Sequence, residues 1–233
     1  MSSKIEFAVQ MTCTSCVKAV RESLDNIPGI SNVDISLEKN TVVVDTTLTT
    51  NEVLRHLQSS GKQAVVKGHA GSLAAVAILD VSKHIQGVVR LAQINPETCI
   101  VDGTVDGLRP GEHGLFIHES GDLSKGCDSI GECYIPSYFK PSELNRLYGN
   151  LGTITADDHG RAEFRFEDKV IDLSNIIGRS LVITENPAGE NVGKRLTCGI
   201  IARSSALFQN SKTICACDGV SIWDANNKPK STL

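Results

Sequence analysis

The sequence has no basic excess and no long apolar run. With 23 Lys+Arg against 27 Asp+Glu the net charge is -4, which leaves no basic footprint for nucleic acid and no polybasic membrane anchor. The longest apolar stretch, Leu73 to Leu79, falls far short of the roughly 20 residues that cross a bilayer. The opening MSSKIEFAVQ lacks the continuous apolar core of a secretory signal. These absences point to a cytosolic address without membrane insertion. General disorder is excluded as well, because 40% hydrophobic against 21% charged residues permits a packed core. A length of 233 residues allows one large or two modest domains. What the chain does have is cysteine, eight in all. In a reducing compartment their spacing reads as metal or redox chemistry rather than as a disulfide framework.

Three segments follow from the patterning. Ile5, Phe7, Val9 and Met11 alternate as in a half-buried strand, and Val17, Val20, Leu24 and Ile27 then recur at helical intervals until Pro28-Gly29. Val33, Ile35 and Leu37 alternate again, Glu38-Lys39-Asn40 turn, and Thr41 to Asp45 form the second arm of a hairpin. Thr49 and Glu52 fit a capping box before Val53, Leu54 and Leu57, with Gly61 as the stop and Lys62 to Lys67 as a last strand. The order βαββαβ predicts an α+β ferredoxin-like domain over residues 1–68. From residue 72 to 205 many short strands with Gly and Asp turns predict an all-β antiparallel sandwich or barrel. The polar remainder, 206–233, is expected to be a largely irregular tail.

Met11-Thr12-Cys13-Thr14-Ser15-Cys16 places two thiols at a strand-to-helix turn, where free amides and the helix dipole stabilise thiolates. Two soft thiolates in an open loop suit Cu(I), whereas zinc needs two further ligands. An incidental pair and a thioredoxin-like dithiol remain as alternatives, the latter lacking the α/β pattern it requires. The segment resembles the MxCxxC domain of copper chaperones and copper-ATPase modules, over roughly residues 3–67. That resemblance puts Lys62 near the metal loop, where its charge would offset an anionic dithiolate–copper centre; an ordinary surface lysine is the alternative.

The middle segment resembles Cu,Zn superoxide dismutase through GLRPGEHGLFIHESGDLSKGCDSIGE, LGTITADDHGRAEFRFED, IIGRSLVITE and RLTCGII. The resemblance implies a Greek-key barrel holding copper and zinc through histidines and an aspartate. Almost none of those ligands is here. Phe116, Cys133 and Thr184 stand at copper positions and Leu147 and Asn150 at zinc positions, which leaves His118. Zinc is therefore not expected, His118 and His113 read as structural histidines, and Arg195, matching the anion-binding arginine, reads as a hydrogen-bonding residue. By contrast, Cys127 and Cys198 match the pair that forms the internal disulfide in that family. Cys99 reads as core packing.

The tail carries Cys215-Ala216-Cys217, a spacing that clamps Cu(I) well and closes only a strained disulfide. MxCxxC, a dismutase-like barrel and CxC in this order resemble the copper chaperones for superoxide dismutase. The resemblance implies Cu(I) carried by Cys13 and Cys16 and handled by Cys215 and Cys217. It further implies delivery to copper-free Cu,Zn superoxide dismutase within a heterodimer, and help in forming the target's disulfide through thiol transfer at Cys215 or Cys217. The barrel is then a docking copy, pairing through residues around 176–179 and 199–201, and the free chain is expected to pair with itself. A dismutase-like enzyme with residual activity and a copper buffer without a target are the competing readings. A fraction in the mitochondrial intermembrane space is a further expectation.

Overall fold

A computed structural model describes residues 1–140 and 146–209. They fall into two compact units, Gly71–Ser204 and a first unit of Met1–Ala70 joined by the described residues from Ser205 onward.

In the first unit, β1 (Ser3–Val9), α1 (Thr14–Leu24), β2 (Ile30–Ser36), β3 (Thr41–Thr46), α2 (Thr50–Ser59) and β4 (Ala64–His69) follow in the expected order. The sheet is β2-β3-β1-β4, with β1 antiparallel to both β3 and β4. Ile5, Phe7 and Val9 project from β1 onto Cys16, Val20 and Leu24 of α1 and Val53 and Leu57 of α2, so the two helical periods and the strand period meet in one core. The capping box forms as read: the Thr49 hydroxyl accepts from Glu52 N–H, and the Glu52 carboxylate accepts from Thr49 N–H at 2.7 Å. Several ends differ from expectation, among them those of β4, which runs Ala64–His69 instead of Lys62–Lys67. Met11 is buried but lies beyond β1, because its N–H is taken by the Asn40 side chain at 3.0 Å instead of a ladder. The first helix stops at Leu24, short of Ile27, where Asn26 adopts a left-handed φ of 59°.

The second unit is antiparallel throughout. Its strands are β5 (Leu73–Leu79), β6 (Gln86–Asn95), β7 (Thr98–Asp106), β8 (Gly111–His118), β9 (Ser124–Cys127), β10 (Asn150–Ala156), β11 (Ala162–Asp168), β12 (Ser180–Thr184) and β13 (Arg195–Ser204). Eight of them form one sheet in the order β10-β8-β12-β13-β5-β6-β7-β11. The tight turn Asp157–Gly160 joins the two outer strands, with Asp157 N–H bonded to Arg161 O at 2.9 Å, so the sheet nearly closes into a barrel. Leu79, Val89, Leu91, Val101, Leu115, Ile117, Leu181, Ile183 and Ile201 fill the interior. Val182, one residue out of phase, instead packs outside on Ile130 and Cys198.

After β13 the chain returns to the first unit. Ala206 forms a parallel bridge with His69, Leu207 N–H bonds His69 O at 3.0 Å, and Phe208 N–H donates to the buried Glu6 carboxylate at 2.7 Å. Glu6 is also paired with Lys67 at 3.2 Å.

Candidate metal centre

Cys13 is the N-cap of α1, its side chain caps no amide, and the first turn holds no acidic residue. The unpaired amides and positive end of the helix are left for the cysteine sulfurs. Cys13 is exposed and Cys16 buried, both free, with sulfurs 3.5 Å apart. The Ser15 hydroxyl, 2.9 Å from Cys13 Sγ, lowers the Cys13 thiol below its ordinary pKa. Cys16 is brought down to about 6, chiefly by the Thr12 backbone N–H, then the Thr12 hydroxyl and Cys13. Two small polar residues, Thr12 before the cysteines and Ser15 between them, are thus what favours the thiolates. Reading the motif by its sulfur spacing alone missed Thr12 and Ser15, and also Asn40, whose side chain fixes the loop at Met11. The bond from Gln10 N–H to Gln63 O, 2.9 Å, brings the segment carrying Lys62 to the end of β1 from which the thiol loop leaves.

The residues that the resemblance sets at dismutase ligand positions are gathered in one place. Phe116, His118, Cys133, Leu147, Asn150 and Thr184 line a cavity of about 690 Å³ in the barrel unit, together with Arg146 and Arg195. His118 Nδ1 lies 2.9 Å from Gly131 O, and burial holds this imidazole below its usual pKa. His113 spans Thr184 O at 3.0 Å and Arg109 O at 2.8 Å, a structural role. Arg195 donates to Cys127 O at 3.0 Å and Gly131 O at 2.8 Å, tying down the loop that contains the Cys127–Cys198 disulfide. Cys99 is fully buried and pushed up to about 12 by that burial, as a packing thiol should be. Among the described residues no three His, Cys, Asp or Glu side chains are grouped to hold a metal ion. Cys215 and Cys217 lie outside the described residues.

Of the docking face expected around 176–179 and 199–201, Ile176 and Ile201 are fully buried and belong to the core. Strand alternation explains the difference: with Ile201 inward, Ile200 must point outward. Ile200 is 42% exposed and Ile78, on the neighbouring strand β5, 56%. Ile78 was missed, although the outward phase of LAAVAIL carries it. Beside them Arg179 lies 3.4 Å over the Tyr134 ring and donates to Glu119 O at 2.6 Å, which stiffens this end of the barrel.

Fold and site together define a class: a dithiol metal-carrier domain joined to a dismutase-type barrel whose cavity lining holds one histidine, His118. The heavy-metal-associated domain family matches residues 6–63 and the copper/zinc superoxide dismutase family residues 85–201. The mouse (Mus musculus) copper chaperone for superoxide dismutase is 48% identical over 97% of this chain and 89% of its own. The human (Homo sapiens) protein of the same name is 47% identical with the same coverage. The solved structure of the clock protein EA4 covers 55% of this chain and 93% of its own, with 33% identity and a TM-score of 0.51. The chain belongs to the family of copper chaperones for superoxide dismutase, which are metallochaperones rather than enzymes. No helix among the described residues is long and apolar enough to cross a membrane.

Proposed function

We propose that this chain carries Cu(I) on Cys13 and Cys16 and delivers it to copper-free Cu,Zn superoxide dismutase. The observation that carries the reading is the contrast between the two units. Two thiols 3.5 Å apart stand at an uncapped helix start, while the dismutase-type cavity keeps one usual ligand, His118, beside Phe116, Leu147 and Thr184. The first unit has donors for a soft cation and the second has none of the cage that a redox-cycling metal needs. With sulfur–metal bonds of about 2.3 Å, a linear two-sulfur site spans about 4.6 Å, so copper entry spreads the thiols or binds them bent. A bent site leaves room for an incoming thiolate. Binding expels the remaining thiol protons, and the resulting single negative charge is offset by Lys62.

Docking is barrel to barrel. Ile78, Ile177 and Ile200 meet the equivalent face of a dismutase monomer in a heterodimer, and in the free chain the same self-complementary face supports a homodimer. Pairing raises the effective concentration of the tethered thiols at the target's empty site, and copper passes by stepwise replacement of one ligand at a time. Cys215 and Cys217 take part in the transfer. Two-electron oxidation of one of them to a sulfenic acid, with dioxygen reduced to hydrogen peroxide, condensation with a target thiol with loss of water, and exchange with the target's second thiol, which releases the tail thiol, would close the target's disulfide. The reading puts this work in the cytosol, with a fraction in the mitochondrial intermembrane space.

The test is to mix copper-loaded protein with metal-free, disulfide-reduced dismutase and read activity and target disulfide together. Both rise if the reading holds; absence of a complex and of any gain in activity overturns it in favour of a buffer. Cys215→Ser with Cys217→Ser should abolish activation while leaving docking, and normal activation by that variant would remove the tail from the mechanism.

A further inference from the structure

Cys133 and His118 are partners in an isolated antiparallel bridge, so their side chains share a face with Cβ atoms about 4.5–5.5 Å apart. Both line the barrel cavity. His118 is only 6% exposed. Its Nδ1 is 2.9 Å from the Gly131 carbonyl, and a carbonyl only accepts, so the ring proton sits on Nδ1 and the lone pair of the neutral imidazole on Nε2. Holding one ring nitrogen on a backbone carbonyl is how metal-binding imidazoles are oriented. Among the described residues Nε2 has no hydrogen-bond partner. It is also not among the buried unpaired atoms, so its lone pair is open to the cavity. Beside it stands a free, half-buried thiol.

We infer that Cys133 and His118 form a second Cu(I) site, a two-coordinate sulfur–copper–nitrogen bridge across the mouth of the barrel, distinct from the Cys13–Cys16 pair. Metal bonds of about 2.3 Å to sulfur and 2.0 Å to imidazole span about 4.3 Å in a line, a length that cross-strand neighbours can supply. The other cavity positions decide which metal is taken. Phe116, Leu147 and Thr184 offer no nitrogen or thiolate, and the Asn150 side-chain oxygen already accepts from Gly152 N–H at 2.9 Å. The carboxylates of Glu132 and Glu190 also line the cavity, but no third His, Cys, Asp or Glu is grouped with the pair among the described residues, so coordination stops at two, a number Cu(I) accepts and zinc does not. Charge agrees with this. Arg146 and Arg195 are paired with Asp168 and Glu132, and thiolate, Cu(I) and neutral imidazole sum to zero charge, so the site leaves that balance unchanged. Burial pushes the Cys133 thiol up to about 11, so the free residue is protonated near neutrality. Binding then exchanges Cys–SH and Cu⁺ for Cys–S–Cu and one released proton, with no change of oxidation state. The site goes beyond delivery to a target, since it needs no docking and no dismutase.

The experiment uses the full chain with Cys13, Cys16, Cys215 and Cys217 all changed to Ser, titrated anaerobically with Cu(I) against a chromophoric Cu(I) chelator. The expected result is one copper per chain, with one sulfur and one imidazole nitrogen in its X-ray absorption spectrum. Adding Cys133→Ser should weaken binding at least a hundredfold, and adding His118→Gln should remove the imidazole scattering; Cys99→Ala should change neither. Circular dichroism checks that the variants fold. In the chain that keeps His118, Cu(I) should shield Cys133 from alkylation, a readout that needs no barrel variant. Copper uptake no greater than in the Cys133→Ser chain, a sulfur-only spectrum, or unshielded Cys133 overturns the inference. None of these outcomes depends on whether the chain activates dismutase.

Discussion

Thr12 sets the charge of Cys16. Its backbone N–H and hydroxyl both reach the sulfur, and the Cys16 pKa falls to about 6. The 240 nm absorbance of the metal-free protein should therefore show a thiolate appearing near pH 6, well below the usual 8.5. Thr12→Val keeps the backbone donor and removes the hydroxyl. Losing the weaker of the two Thr12 donors should move the midpoint upward, toward the ordinary thiol range. An unmoved midpoint would show that the hydroxyl is not felt by the sulfur. The folded-state pKa lies below the unfolded one, so the thiolate stabilises the folded domain fully above about pH 8.5, and that contribution is lost as the pH falls through 6. At this scale the sequence made the chemistry legible and left its tuning obscure. Cys13 and Cys16 announce themselves by spacing, but which donors meet the sulfurs depends on a loop path that Asn40 fixes from another hairpin.

Elements were legible where periodicity and end signals agreed. The Thr49–Glu52 box was readable because both partners are local, and it forms with Glu52 N–H to Thr49 Oγ1 at 3.2 Å. Thr49→Ala should cost about 1 kcal/mol, read as a lower thermal midpoint of the first unit with copper affinity unchanged, since the cap lies on α2 and the thiols on α1. The strand and helix ends at Met11 and Ile27 were misplaced for one physical reason. An apolar residue is buried equally well just past an element's end, so hydrophobic pattern does not record where backbone hydrogen bonding stops. In the barrel, Ile176 and Ile201 illustrate the complementary difficulty. A contiguous apolar run shows that a face exists, and only the phase of the strand shows which residues lie on it.

At the scale of the whole molecule, the proposed delivery requires the barrel face that carries Ile200 to recognise the partner while the first unit carries the metal. Ile200→Glu places a charge on a residue 42% exposed, where the fold tolerates it and a dry interface does not. Complex formation with metal-free dismutase, followed by size exclusion, should fall at least tenfold while copper binding at Cys13 and Cys16 stays intact; undiminished association would relocate the docking face. The family and the two folds were legible in sequence. The gathering of the substituted positions around one cavity was not, because those residues lie on separate strands and the loops between them. Nor was the return of residues 205–208 to the first unit, since no local pattern marks a strand that pairs across the length of an intervening barrel.

That return has a practical consequence. The copper-binding body is assembled from stretches on either side of the barrel, with Ala206 against His69 and Phe208 on Glu6. A fragment trimmed to residues 1–70 loses this cover and offers the bare backbone at the end of β4 to any neighbour able to add a strand. Self-association of such an excised piece would then be an artefact of the cut, uninformative about how intact molecules meet.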